Sequence, residues 1–456
     1  MKHFNRINLV VVLLLAVSAG IPAAQAVTGL KLTFTGVEDL GPDFVYEGWI
    51  IVDGMPVSTG TFNVSPGGAL HPAIFTVPDD QAAAATAFVL SIEPRYDHDP
   101  APSDVKYLAG EFSGDMADLS LDHPAVLGTD FSMASGAYIL ETPSTAGTPG
   151  DYDQGIWFLD PAGSPDPSLD LPDLPAGWVY EGWIVTIDGP MSTGRFTMTD
   201  MADSDGGGPY AGPDGTPPFP GQDFIDPPLS LIGTTVVISV EPEPDNSADP
   251  FAIKPLLDST VEDVGAGVLQ NLAYFPENLP TGTAQFIDVV PLELDFVNLQ
   301  DLGNDFVYEG WIVGHGPTST GIFMVDETGV PSVDMVYVDK YVADNAAKFV
   351  LSIEPYPDPD PAPSNTKLLG GNFSGTAALL TIRDSAALGT DFFNATGGYI
   401  LETPSTSGIA DDWDQGIWFL DPGAGPGPSL YLPMLPEGWA YEGWVAGPDG
   451  PVTTGR

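Results

Sequence analysis

Two kinds of carboxylate recur in this chain where they could do chemistry. Glu47, Glu181, Glu309 and Glu442 each lie inside a Tyr-Glu-Gly-Trp run, between aromatics on what reads as a strand. Glu93, Glu241 and Glu354 each end another strand, just before a proline. A carboxylate beside a tryptophan suits a sugar, with the indole as stacking platform and the carboxylate as acceptor. Two such carboxylates set roughly 5–10 Å apart across a cleft would suit glycoside hydrolysis. The same residues serve equally well in a core, where Trp and Tyr fill the space between sheets and Glu accepts backbone N–H bonds.

A second candidate is an acidic loop. After Glu93-Pro94 comes Asp97-His98-Asp99-Pro100-Ala101-Pro102-Ser103-Asp104, and its copy is Asp358-Pro359-Asp360-Pro361-Ala362-Pro363-Ser364-Asn365. Asp-x-Asp carries two carboxylates to one side of an extended loop, and hard oxygen donors suit Ca²⁺. Asp97, Asp99, Asp104, Asp358 and Asp360 are therefore the candidate calcium ligands. The loops lack the full spacing and the closing Glu of an EF-hand. Glu243-Pro244-Asp245-Asn246 and Asp203-Ser204-Asp205-Gly206 are weaker variants. The competing account is a solvated acidic turn in a chain that is acidic throughout.

Other chemistry is thin. Of five histidines, His3 is near the amino terminus, and His71, His98, His123 and His315 have no His at the matching place in the other copy; Pro359 answers His98. No nucleophile elbow, phosphate loop or His-x-x-x-His pair occurs. The reading is a non-enzymatic protein that requires no cofactor.

Composition narrows the partners. With 12 Lys+Arg against 63 Asp+Glu, the 456-residue chain carries a formal charge of −51. Such a surface repels phosphate backbones and anionic lipid, which argues against nucleic-acid and membrane-surface binding. It also keeps a protein hydrated in high salt, where exposed charges are screened. The absence of cysteine removes disulfides, thiolate metal sites and Cys nucleophiles. Gly 53 and Pro 47 suit a turn-rich β protein, and 43 % apolar residues are enough to bury a core.

The amino terminus reads as a signal peptide. Lys2 and Arg6 precede the apolar run Leu9–Val17, and Ala24-Gln25-Ala26 is an A-x-A cleavage site. The run is shorter than the about 20 residues that span a bilayer. The expected mature chain starts at Val27, is extracytoplasmic, and has no membrane-spanning segment.

Repeats set the domain plan. Trp49, Trp183, Trp311 and Trp444 close the four Tyr-Glu-Gly-Trp runs, each followed by a Gly/Pro turn and a Thr-Gly step at Gly60, Gly194, Gly321 and Gly455. A longer duplication of 261 residues relates Trp157 to Trp418 and Phe88 to Phe349. The expected plan is a signal peptide (1–26) followed by domain A (27–163), domain B (164–290), a copy A′ (291–424) and the start of a copy B′ (425–456). Because B′ stops where B continues, the sequence is expected to be a fragment, or its last strands complete a sheet in a neighbour.

Alternation marks the strands. Phe88, Leu90 and Ile92 alternate with Val89, Ser91 and Glu93, and Tyr46, Gly48, Ile50 and Val52 share a face opposite Glu47, Trp49 and Ile51. Further strands are expected at Gly136–Glu141, Gly155–Leu159 and Val236–Val240, with short helices at Asp79–Ala87 and Ser259–Leu272. The fold class is all-β, as tandem antiparallel β-sandwich domains.

These elements in this order resemble the C-terminal domain of anti-sigma-K factors of the RskA type. The matching positions are Tyr46, Trp49, Gly60, Phe62, Ser91, Glu93 and Pro94, then Tyr308, Trp311, Gly321, Phe323, Ser352, Glu354 and Pro355. Domain B matches through Tyr180, Trp183, Gly194, Phe196, Ser239, Glu241 and Pro242. The resemblance implies the fold and an extracytoplasmic location. That family carries a transmembrane helix and a cytoplasmic sigma-binding segment, which this chain replaces with a signal peptide, so anti-sigma activity does not follow. The expected function is an exported interaction, sensing or structural module with a protein or cell-surface partner. The alternatives are a secreted carbohydrate-binding or glycoside-active protein and a calcium-stabilised adhesion protein.

Overall fold

The computed structural model describes the chain apart from residues 1–10, 16–25, 66–67, 69, 146–149, 205–217, 245–246, 277–278, 359, 407–411, 424 and 449. Lys2, His3, Arg6 and the Ala24-Gln25 step of the cleavage site lie outside the described residues, as do Asp205, Gly206, Asp245, Asn246 and Pro359. The fold is all-β, with 47 % of residues in strands and 6 % in helices. Among the described residues no helix is long and apolar enough to cross a membrane.

The chain divides into two compact units. One, the AB unit, is Ala23–Ile287; the other, the A′B′ unit, is Asp288–Arg456 with the amino-terminal segment that contains Val11–Leu15. The expected 163/164 boundary lies inside the AB unit, where one buried cluster runs from Leu30 through Tyr138 and Trp178 to Phe286.

Three large sheets and a two-stranded one, Leu159–Asp160 with Asp166–Pro167, build the AB unit. A five-stranded sheet runs Leu70–His71, Met55–Val64, Phe44–Val52, Ala85–Pro94, Lys106–Glu111. A four-stranded sheet runs Ile74–Pro78, Val27–Thr35, Thr281–Ile287, Met116–Leu119, so a strand from the end of B sits inside a sheet of A. The third sheet includes Trp178–Thr186 and Thr235–Pro242 of B and Ser135–Leu140 and Gly155–Trp157 of A. Leu30 and Phe75 of the four-stranded sheet share the cluster with Tyr46, Phe88 and Tyr107 of the five-stranded one. In the A′B′ unit the corresponding strands form one eight-stranded sheet, joined through Lys367–Ser374 and Ala377–Leu380, which also contains Val11–Leu15.

Each letter of the Tyr-Glu-Gly-Trp run has a local job. The Tyr hydroxyl donates to a backbone carbonyl eight residues upstream in all four copies: Tyr46 to Glu38 at 2.9 Å, Tyr180 to Pro172 at 2.6 Å, Tyr308 to Gln300 at 2.9 Å and Tyr441 to Pro433 at 2.6 Å. This tyrosine corner pins the entering loop to the sheet. The strand then turns back; Asp53 and Gly54, with φ of 51° and 77°, make the tight hairpin that an Asp-Gly pair favours. Register slips at Gly48/Trp49, where the partner strand passes through Gly60 at φ 114°. The same bulge recurs with Gly194 at φ 112°, Gly321 at 100° and Gly455 at 106°, which explains the repeated Thr-Gly step.

Two expected elements differ. The helix expected over Asp79–Ala87 stops at Ala84, because Ala85 already starts the strand Ala85–Pro94 that pairs with Phe44–Val52. No helix forms over Ser259–Leu272. Gly265 and Gly267 adopt φ of 94° and 67°, the Val261 N–H donates to Thr234 O at 2.9 Å, and Gln270–Tyr274 is a strand. The short helix Lys340–Asp344 was not expected; Asp339 caps it by accepting from the Tyr341 N–H at 2.8 Å.

The Gly of the run makes room for a ring. A Cβ on Gly48 would stand 2.6 Å from Thr59 Oγ1 and 2.9 Å from Phe88 Cζ; on Gly310 it would stand 2.4 Å from Thr320 Oγ1 and 2.7 Å from Phe349 Cζ. Gly48→Ala should therefore cost about 1–3 kcal/mol by overpacking, read as a lowered midpoint in a thermal melt of the full chain.

Candidate functional site

The strand carboxylates and tryptophans form a repeated, buried hydrogen-bond relay. Trp49 Nε1 donates to Ser91 Oγ at 2.8 Å, Ser91 Oγ donates to Glu93 Oε1, and Glu93 Oε1 also accepts from the Ser103 N–H at 2.9 Å. In B, Trp183 Nε1 donates to Ser239 Oγ at 2.7 Å, Ser239 donates to Glu241, and Glu241 accepts the Phe251 N–H at 2.9 Å. In A′, Trp311 Nε1 donates to Ser352 Oγ at 2.8 Å, Ser352 donates to Glu354, and Glu354 takes the Ser364 N–H at 3.0 and 3.1 Å.

Strand geometry explains the spacing. Ser and Glu two apart point to the same face, and Ser91 stands opposite Glu47, beside Trp49. That face is dry: Trp49 packs on Val89, Ala109 and Val126, and Ser91 and Glu93 are buried. Burial pushes the Glu93 carboxyl up, against the bonds from Ser91 and Ser103 that hold it down. The serines are the residues that a search for catalytic types passes over; the signal for them was the Ser-x-Glu-Pro spacing in three copies.

The acidic loops hang on this relay. Glu93 reaches ten residues forward to Ser103, and Ser103 Oγ donates to Ile92 O at 2.8 Å, so the stretch holding Asp97 and Asp99 is closed at its base. Glu354, Ser364 and Ile353 repeat this around Asp358 and Asp360. Within the loop Asp97 Oδ1 accepts the Asp99 N–H at 2.8 Å and Asp99 Oδ1 the Ala101 N–H at 3.0 Å; Asp358 and Asp360 do the same at 2.9 Å each. Each is an Asx turn that orders the backbone. Asp104 is exposed at the loop's end. Among the described residues no three His, Asp or Glu side chains are grouped to hold an ion. Of the weaker variants, Asp203 accepts the Gly221 N–H at 2.8 Å and Glu243 lies 3.5 Å from Arg195.

The outer glutamates clamp the hairpin. Ser58 donates to Glu47, Ser192 to Glu181, Ser319 to Glu309, and Thr453 to Glu442 at 2.5 Å. Their cross-strand neighbours differ. Arg195 stands opposite Glu181 and binds it at 2.9 Å, Arg456 lies 3.3 Å from Glu442, and Thr61 and Ile322 stand opposite Glu47 and Glu309. Glu309 is 3 % exposed, and burial pushes its carboxyl up to about 7, aided by the charges of Glu354 and Asp358 and opposed by the Ser319 bond.

Among the described residues the histidines are not gathered. His71 ends a strand, His98 is exposed in the acidic loop, His123 accepts the Ala125 N–H at 3.1 Å, and His315 stacks on Tyr341. A groove of about 380 Å³ in the AB unit is lined by Glu38, Asp39, Ile92 and Phe251 among others, with no histidine in its lining. One further buried carboxylate was not foreseen: Asp223 accepts the Ser144 N–H at 2.8 Å and Trp157 Nε1 at 3.2 Å, and burial raises its carboxyl.

Glu309 gives a pH signature. A carboxyl raised to about 7 in the folded state, against 4.5 as the ordinary value, holds its proton longer when folded. Its contribution is therefore full below about pH 4.5 and lost as pH rises through about 7, a change of about 3 kcal/mol. Glu309→Gln should remove that part, so the fall in melting midpoint between pH 5 and pH 8 should be several degrees smaller than in the parent. A scan against protein-family models and searches of curated proteins and of solved structures found no match to this chain.

Proposed function

We propose that this is an exported, non-enzymatic repeat protein, built as tandem β-sandwich domains of anti-sigma-K C-terminal type and serving as an extracytoplasmic interaction or structural module. It acts through a protein or cell-surface partner and does not itself hold a cytoplasmic sigma factor. One observation carries this reading. The Trp, Ser and Glu residues that recur together in three copies donate to and accept from one another, which spends them on the fold instead of on a ligand.

The acidic loops support the same reading. Their aspartates satisfy the loop's own backbone, and the exposed carboxylates of a chain with a net charge of −51 make a surface that repels other anions and retains water.

The test is made on chain isolated from the envelope fraction of a bacterial expression host. Its amino terminus should read Val27, and its melting midpoint should agree within about a degree between chelator, excess Ca²⁺ and monovalent salt of matched ionic strength, since an ion bound only by the folded state would raise it. A cytoplasmic chain starting at Met1 contradicts export. A calcium gain of several degrees, lost in Asp97→Asn with Asp99→Asn, would replace this reading with the calcium-stabilised one.

A further inference from the structure

The two units fill one slot in their sheets with unrelated strands. In the AB unit, Thr281–Ile287 lies between Val27–Thr35 and Met116–Leu119, antiparallel to both. In the A′B′ unit the equivalent neighbours are Val289–Glu293 and Ala377–Leu380, and Val11–Leu15 lies between them, antiparallel to both. The registers agree residue by residue. Gly282, Ala284 and Phe286 stand opposite Leu119, Ala117 and Leu30; Val11, Leu13 and Leu15 stand opposite Leu380, Ala378 and Leu292, the duplicated counterparts.

Without a strand in the slot, both neighbours present unpaired N–H and C=O groups across a one-strand gap, which templates pairing with an incoming chain. Val11–Leu15 belongs to the segment read as a signal peptide, so on that reading the exported chain loses it.

A second observation says what should take its place. Several aromatics of the A′B′ unit are exposed where their AB counterparts are buried: Trp418 is 45 % exposed against 1 % for Trp157, Trp444 55 % against 3 % for Trp183, and Tyr399 63 % against 0 % for Tyr138. In the AB unit Tyr138 belongs to a buried cluster that includes Phe224, Ile238 and Leu272 of the later part of B, its strand neighbour there is Gln270, and Trp157 shares a smaller cluster with Phe219. Strand slot and apolar face thus call for the same complement.

We propose that the gap between Val289–Glu293 and Ala377–Leu380 is a strand-acceptor site, and that its occupant in the exported chain is a strand with the chemistry of Thr281–Ile287, carried by a B-type segment. A second copy of the chain is a poorer donor, because its own Thr281–Ile287 is engaged in its own AB unit. The proposal rests on the signal-peptide reading only in treating 27–456 as the exported form. The test below uses that chain produced directly, so a failure of export and a failure of the slot are told apart.

The probe is a fluorescein-labelled synthetic peptide of residues 279–288, titrated by anisotropy into chain 27–456, into chain 1–456 and into chain 1–456 with Leu13→Pro. Saturable one-to-one binding to 27–456 is expected, at least tenfold weaker for the peptide with Ala284→Pro, which removes a ladder N–H. Chain 1–456 should bind at least tenfold less well, and Leu13→Pro should restore binding, which keeps the test valid if 27–456 does not fold. No binding to either open chain, or equal binding of the proline peptide, overturns the proposal. Dimers of 27–456 in sedimentation that exclude the peptide overturn it in favour of a second copy.

Discussion

A carboxylate buried in a β core must be supplied with hydrogen-bond donors or it will cost more than its burial returns. Glu93, Glu241 and Glu354 meet that demand at Oε1 with two donors, a serine hydroxyl two residues back on the same strand and a backbone N–H ten residues ahead, while Oε2 of Glu93 stays buried without a hydrogen-bond partner among the described residues. The serine in turn takes the indole N–H of the neighbouring strand's Trp. One side chain therefore ties three things together: two adjacent strands, and the loop that follows the second. Removing any member strands the others in a dry place, which is the asymmetry that makes such networks costly to break.

From this constraint the rest of the repeat follows. The Trp must lie on the face away from the main cluster, so Tyr46 and Ile50 take the inner face. Strand alternation across Tyr46–Ile50 sets this division, and the bulge opposite Gly48 and Trp49 lies in the hairpin partner, where Gly60 supplies the backbone angle it needs. The glutamate inside the Tyr-Glu-Gly-Trp run then faces the hairpin partner and binds its serine or threonine. Where the opposite residue is Arg195, the charge is paired; where it is Ile322, burial raises the carboxyl of Glu309, aided by the charges of Glu354 and Asp358. Identical motifs thus have different electrostatics where burial and the cross-strand partner differ.

Much of this was legible in the sequence, for physical reasons. Alternation over Phe88–Glu93 and the repeated Gly/Pro turns and Thr-Gly steps report local backbone requirements that any strand or turn of this type must meet. The aromatics and glutamates were legible as a unit, with their role open between core and sugar site; the serine that joins Trp to Glu in the buried relay was legible only as a repeated spacing. What could not be read was whatever depends on a distant partner. Thr281–Ile287 gives no sign that it completes a sheet begun at Val27, and Ser259–Leu272 has a weak helical pattern that tertiary pairing with Thr234 and Leu140 overrides. The apolar run before Val17 is likewise silent about Val11–Leu15 entering a sheet.

The most direct test of the relay is hydrogen exchange at the indole N–H groups, followed by NMR of chain labelled with ¹⁵N at tryptophan. The account predicts that Trp49, Trp183 and Trp311 exchange at least about a hundredfold more slowly than the exposed Trp413 and Trp444, because their protons are held by buried serines. Ser352→Ala should shift and deprotect Trp311 alone among the three. Exchange of all three at the rate of the exposed indoles would contradict the account, and would return these residues to the surface where a ligand could meet them.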